Sequence, residues 1–121
     1  MFRDLSANER QIILKLVGQS FPSLDALAQQ LDGCAVEEIE AGTILRFSVM
    51  NSPKIFLSCT VLGEGSIDDI DGVPIILTVL QRDGYIHDLD INRADGLPVR
   101  LRFIDPVQIR VLGFGGGLLL G

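Results

Sequence analysis

The chain is poor in the residues from which metal and nucleophilic sites are usually assembled. It has one histidine, His87, and two cysteines, Cys34 and Cys59, among 121 residues. A structural zinc site takes about four nitrogen or sulfur ligands at short spacings, and these three cannot supply them. The cysteines therefore read as small buried thiols. Lysine is nearly absent, with only Lys15 and Lys54, and the net charge is −6. Binding to nucleic acid runs on clustered Lys and Arg that neutralise phosphates, so this balance excludes a nucleic-acid partner and favours a basic protein. Long apolar runs are missing too: Val73 to Leu80 is interrupted by Pro74 and Thr78. That falls well short of the roughly 20 residues of a spanning helix, so no membrane partner is expected. Met1-Phe2-Arg3-Asp4 opens on no basic start with an apolar stretch behind it, which predicts a cytoplasmic protein.

What is present is enough for one hydrophobic core. A chain of this length buries roughly two thirds of its unfolded surface, and a hydrophobic fraction of 47% supplies the side chains to do it. We expect a single α+β domain over residues 1–112 and a Gly/Leu-rich tail over 113–121. Ser6 and Glu9 have the spacing of a capping box, in which the hydroxyl and the carboxylate each accept from the other residue's backbone N–H. A helix follows, with Ile12, Ile13, Leu16 and Val17 on its apolar face and Gly18 at its end. Ser23 is placed to cap a second helix carrying Leu24, Leu27, Ala28 and Leu31, with Gly33 as a left-handed stop.

From Cys34 the apolar period changes from helical to alternating, the mark of strands. Strands are predicted at Val36 to Glu40, Thr43 to Val49 and Ile55 to Leu62, then a loop from Gly63 to Gly72. Asp71-Gly72, Asp83-Gly84 and Asp95-Gly96 recur at intervals of twelve, each followed by a strand-length apolar stretch. Evenly spaced Asp-Gly turns describe an antiparallel meander. The expected fold is two N-terminal helices packed on one face of an antiparallel meander sheet of about five to seven strands.

A two-residue turn at Asp83-Gly84 sets Arg82 opposite Tyr85 and, counted outward, Leu80 opposite His87, Thr78 opposite Leu89 and Ile76 opposite Ile91 on the core face. The other face then holds Val79 with Asp88 and Leu77 with Asp90. A three-residue loop Ala94-Asp95-Gly96 would bring Arg100 to Asp90 and Arg102 to Asp88 on that same face. A last strand is predicted from Val107 to Leu112.

Chemistry is harder to find. The acidic loop with Asp68, Asp69 and Asp71 fails as a calcium loop, because Ile67 and Thr78 fall where the first and last ligands are needed. We expect no metal. His87 has no nucleophile or second histidine that the sequence places beside it, and is read as structural. Asp88 and Asp90 share a strand face as an acid and base pair might, but opposed arginines would depress their pKa values, the wrong direction for a proton donor. The glycines from Gly113 to Gly117 lack the Lys-Ser/Thr of a phosphate loop. No catalytic residue and no cofactor are expected.

The segment Gln30-Leu31-Asp32-Gly33-Cys34-Ala35-Val36, the block Asp71-Gly72-Val73-Pro74-Ile75, and Leu89-Asp90-Ile91-Asn92-Arg93-Ala94-Asp95-Gly96 together resemble a family of small uncharacterised bacterial domains of unknown function. Their C-terminal block reads Leu-(Asp/Glu)-x-x-Arg-x-Asp-Gly. The resemblance implies a fold rather than a reaction, and an immunity or antitoxin type of role. The function expected is thus a non-enzymatic protein-binding module. Its partner would meet the mixed face of Leu77, Val79, Asp88, Asp90, Arg100 and Arg102, or the loop carboxylates Asp68, Asp69 and Asp71. The alternatives are a small-molecule-binding domain or enzyme with a pocket between helices and sheet, and a structural homo-oligomer formed through the tail.

Overall fold

The computed structural model describes residues 1–18, 21–40, 43–56 and 59–114. Helix α1 runs from Ala7 to Val17 and opens on the expected capping box: the Ser6 hydroxyl accepts from the Glu9 N–H, and the Glu9 carboxylate accepts from the Ser6 N–H. Its buried residues are the predicted Ile12, Ile13, Leu16 and Val17. Helix α2 spans Leu24–Asp32, but its ends differ from expectation. Ser23 makes no side-chain cap, and Gly33 at φ −109° is not left-handed. The N-cap is replaced by tertiary anchoring, for Gln30 on the buried face ties the helix to the sheet.

Strands β1 (Arg3–Asp4), β2 (Ala35–Ile39), β3 (Ile44–Ser48), β4 (Val61–Asp68), β5 (Pro74–Arg82), β6 (Tyr85–Arg93) and β7 (Arg110–Phe114) form one sheet. Its order is β1-β2-β3-β6-β5-β4-β7, and every pairing is antiparallel. The fold is thus α+β, but the meander is β4-β5-β6, one strand earlier than the Asp-Gly spacing predicts, with the β2-β3 hairpin added at β6. Helix α1 packs on β4, β5 and β7, while α2 packs on β6. One core cluster joins both helices to the inward residues of the strands, among them Val36, Leu45, Phe47, Leu62, Ile67, Ile75 and Ile86.

The turn at Asp83-Gly84 has the expected form. Both residues have positive φ, 54° and 89°, as a type I′ turn requires, and Arg82 faces Tyr85. One pair further on, the ladder slips. Gln81 pairs with Ile86, but Leu80 pairs with Asp88, which leaves His87 as an extra residue in a bulge. Because side chains alternate, a slip of one residue turns the face over. Leu77 and Val79, expected on the outer face, are fully buried under the helices opposite Ile91 and Leu89. Thr78 and Leu80 face outward, opposite Asp90 and Asp88.

Two other segments depart from the reading. The strand predicted at Ile55 to Leu62 is displaced to β4, so most of the expected acidic loop is strand, and the connection to β5 shrinks to a turn at Asp69–Val73. Gly63 and Gly65 of β4 lie under α1: a β-carbon on Gly63 would fall 2.3 Å from the carbonyl oxygen of Leu16. Low strand propensity concealed this strand, yet the helix needs those missing side chains. Beyond Asp95-Gly96 no hairpin forms. Residues 97–105 cross the molecule as a strap without strand pairing, followed by a 3₁₀ turn at Pro106–Gln108 in place of the start of the last strand. Strand β7 then continues to Phe114, past the expected boundary at Leu112. The rest of the tail, and the oligomer contact assigned to it, lie outside the described residues.

Candidate functional site

Alternate turns of a meander fall at the same end of the sheet. The turns of Asp71 and Asp95 therefore meet, while that of Asp83 lies at the far end. Between them stands Arg93, the last residue of β6, whose side chain is only 2% exposed. Its Nε and Nη2 donate to the two oxygens of Asp95 at 3.0 and 2.6 Å, a bidentate fork. Its Nη1 donates to Asp69 at 3.0 Å and to Asp71 at 2.9 Å. Asp69, itself buried, also accepts the N–H of Ile70 and the N–H of Arg100. The strap is thereby pinned to the β4–β5 turn.

These contacts fix the protonation states. Asp95 is held down to about 2 by the Arg93 fork and the Leu97 N–H. Burial works to raise Asp69, but the N–H groups of Arg100 and Ile70 and the Arg93 guanidinium outweigh it and hold the carboxyl below its ordinary value. Burial is likewise outweighed at Asp71 by Arg93 and the Val73 N–H. All three carboxylates are anionic and committed, and a buried guanidinium ringed in this way is an architectural element. Asp69 is inaccessible to a partner. Asp68 remains exposed, in an ion pair with Arg110 at 2.8 Å.

Asp88 and Asp90 do share the face away from the helices. Their arginine, however, comes from β3 and not from the strap: Arg46 Nε donates to Asp88 at 2.7 Å. His87 Nδ1 lies 3.0 Å from the same oxygen. Asp90 sits opposite Ile44 and Thr78, and one of its oxygens is buried without a hydrogen-bond partner. Burial, and then the Asp88 charge, raise its pKa. The expected pairs of Arg100 with Asp90 and Arg102 with Asp88 do not form, because the strap is not a strand beside β6. Arg100 reaches only to 4.0 Å from Asp71. Arg102 stands exposed without an ion pair among the described residues.

Residues 2–103 match the family described as Domain of unknown function (DUF6984). The chain belongs to the DUF6984 family. No curated protein and no solved structure matches it. The DUF6984 match contains both helices, β1 to β6 and the Arg93 cluster, and it ends within the strap, before the 3₁₀ turn and β7.

An open groove of this DUF6984 chain straddles the end of that match. It has a volume of about 830 Å³ and runs between α1 and β7, lined by Leu14 and Lys15 of α1, Gly18 at its C-cap, Leu24 of α2, Pro106 and Val107 of the 3₁₀ turn, and Val111. Val107 is 76% exposed and Leu112, on the neighbouring edge, 54%. Strand β7 is bonded to β4 alone among the described strands, so no described strand pairs the backbone groups of its other edge. Sequence reasoning took Val107 and Val111 as one face of a strand and missed the groove, since nothing local signals the 3₁₀ turn except Asp105-Pro106, whose carboxylate caps it at Val107. Among the described residues no group of three or more His, Cys, Asp or Glu is arranged to hold a metal ion. Among the described residues no helix is long and apolar enough to cross a membrane.

Proposed function

We propose that this chain is a non-enzymatic, cytoplasmic protein-binding module of a small bacterial protein, of the immunity or antitoxin type, acting by occupying its partner's surface. The observation that carries the reading is a strand edge that no described strand pairs, with an apolar groove beside it. An extended segment added to β7 would gain main-chain hydrogen bonds from the edge, while alternate side chains enter the groove between Leu14, Leu24, Val107 and Val111. The mixed outer face first considered loses its apolar half, since Leu77 and Val79 are core. The net charge of −6 supports faster encounter with a basic partner. Lys15 at the groove rim, with no ion pair among the described residues, offers a local contact for a carboxylate of the bound segment.

The test is capture from the source cell with four baits of equal fold by circular dichroism: the native chain, Val107→Asp, Leu14→Asp and Met50→Asp. Met50 is 70% exposed, and it does not line the groove. A partner retained by the native chain and by Met50→Asp but lost with Val107→Asp supports the reading. A partner indifferent to Val107→Asp and to Leu14→Asp overturns it.

A further inference from the structure

A second cleft, sharing no lining residue with the groove, lies beneath the strap. It has a volume of about 370 Å³ and is walled by the first turns of α1, by β3 and β6, and by the strap itself. Its floor is apolar, with Ile12, Leu45, Leu89 and Ile91 below and Val99 and Leu101 above. The volume is near the lower end of ligand pockets, which run from about 300 to 1,000 Å³. It suits a small molecule rather than a folded segment.

The polar rim is specific. Three charged side chains line the cleft: Glu9, Glu38 and Arg102. The first two are taken by Arg3, at 2.6 Å and 3.4 Å. Only Arg102 is left without a counter-ion among the described residues, at the mouth of an apolar slot. The strap that carries it has no ladder bonds. It is tied down by the Arg100 N–H to Asp69 at 2.9 Å and, at its far end, by Asn8 Nδ2 donating to the Ile104 carbonyl at 2.9 Å. Arg102 and Phe103 lie between those ties.

We propose that this cleft binds a small aliphatic carboxylate, its chain between Ile91, Leu89 and Leu101 and its carboxylate on Arg102. The apolar walls supply affinity in proportion to the area they remove from water. A charge-assisted bond to the guanidinium selects the anion over a neutral analogue of equal length. This site is independent of the docking groove at β7, and neither reading requires the other.

The probes are octanoate and octanol, titrated into the full chain and followed by methyl and amide chemical shifts. Octanoate should bind saturably, moving the methyl signals of Leu89, Ile91 and Leu101. Arg102→Gln should weaken octanoate about tenfold, the order expected for loss of one charge-assisted contact, and leave octanol unchanged. Arg102→Lys should recover part of the loss. Arg102 is exposed, so these substitutions leave folding intact. Val99→Phe, which narrows the cleft from a half-buried position, should abolish both. No saturable shift in those methyls, octanoate binding insensitive to Arg102→Gln, or equal losses of octanoate and octanol in Arg102→Gln would each overturn the proposal.

Discussion

Replacing Gly63 by alanine adds a single methyl group to a strand, and the structure makes it one of the more damaging small changes available. The new β-carbon would lie 2.3 Å from the Leu16 carbonyl oxygen, 2.6 Å from the Leu16 carbonyl carbon and 3.0 Å from the Val17 nitrogen. All three are backbone atoms of the last turn of α1, so no rotamer change relieves the clash. The helix must lift by about 1 Å to restore ordinary contact. Ile12, Ile13, Leu16 and Val17 ride on it and all are buried, so the lift opens gaps along the whole α1–sheet interface. Overpacking costs typically ~1–3 kcal/mol, and loss of contact along four side chains places Gly63→Ala at the top of that range. For a domain of this size the melting temperature should fall by about 10 °C. Urea unfolding and thermal unfolding followed by circular dichroism measure the two quantities, with Gly33→Ala as the control: there the nearest atom to the new carbon is 3.9 Å away. With φ at −109° alanine is allowed, and the shorter menu of unfolded states should leave that variant unchanged or stabilised by up to about 1 kcal/mol. A Gly63→Ala protein within about 0.5 kcal/mol of the native chain, the scatter of ordinary surface substitutions, would refute the seating of α1 on β4.

Gln30 is fully buried, donates to the carbonyls of Pro53 and Gly84 and accepts from the Ile86 N–H; Gln30→Met should cost roughly 2–4 kcal/mol by orphaning the Pro53 carbonyl and the Ile86 N–H, read from the same urea curves. Acid titration should show a loss of stability from the Arg93 cluster. Asp95, held at about 2, and the depressed Asp69 and Asp71 bind protons more weakly folded than unfolded, so their contribution is complete above the unfolded value near ~3.9 and declines as pH falls from there toward about 2. In Arg93→Met this acid-range slope should flatten, and an unchanged slope would show that the cluster is not its source. Asp90→Asn should act in the opposite sense: the raised pKa means that the ionised form costs stability at neutral pH, so the variant should gain roughly a few tenths of a kcal/mol at pH 7, as befits a part-exposed site. That advantage should shrink as pH falls into the carboxylate range.

Much of the fold is legible from local chemistry, and the failures are instructive because each has a non-local cause. The capping box at Ser6 and the turn at Asp83-Gly84 involve neighbours in sequence, and both stand as read. The His87 bulge is different. Nothing in Leu80-Gln81 or Ile86-His87-Asp88 announces it, yet it reverses the facing of every residue from Leu80 to Ile75. A register that pairs Ile76 with Ile91 is as well patterned as one that pairs Leu77 with Ile91, because β5 is apolar on nearly every residue. Only burial of the alternate set under α1 and α2 separates them. The same helix explains β4: its strand propensity is poor because two glycines make room for α1, and that need is invisible until the helix has been placed.

The Asp-Gly spacing, by contrast, held more than was drawn from it. Equal intervals place the first and third turns at one end of the sheet, and that end must gather the charges of Asp69, Asp71 and Asp95 about whatever terminates β6. The residue there is Arg93, two positions before Asp95 in the sequence. Three carboxylates crowded without a cation would repel, and a buried arginine without them would be prohibitively desolvated. The cluster is therefore a mutual requirement, and it commits three of the chain's 16 acidic residues without leaving them free for recognition. The edge of β7 proposed for a partner and the cleft beneath the strap proposed for a carboxylate are surfaces that the Asp-Gly spacing does not mark.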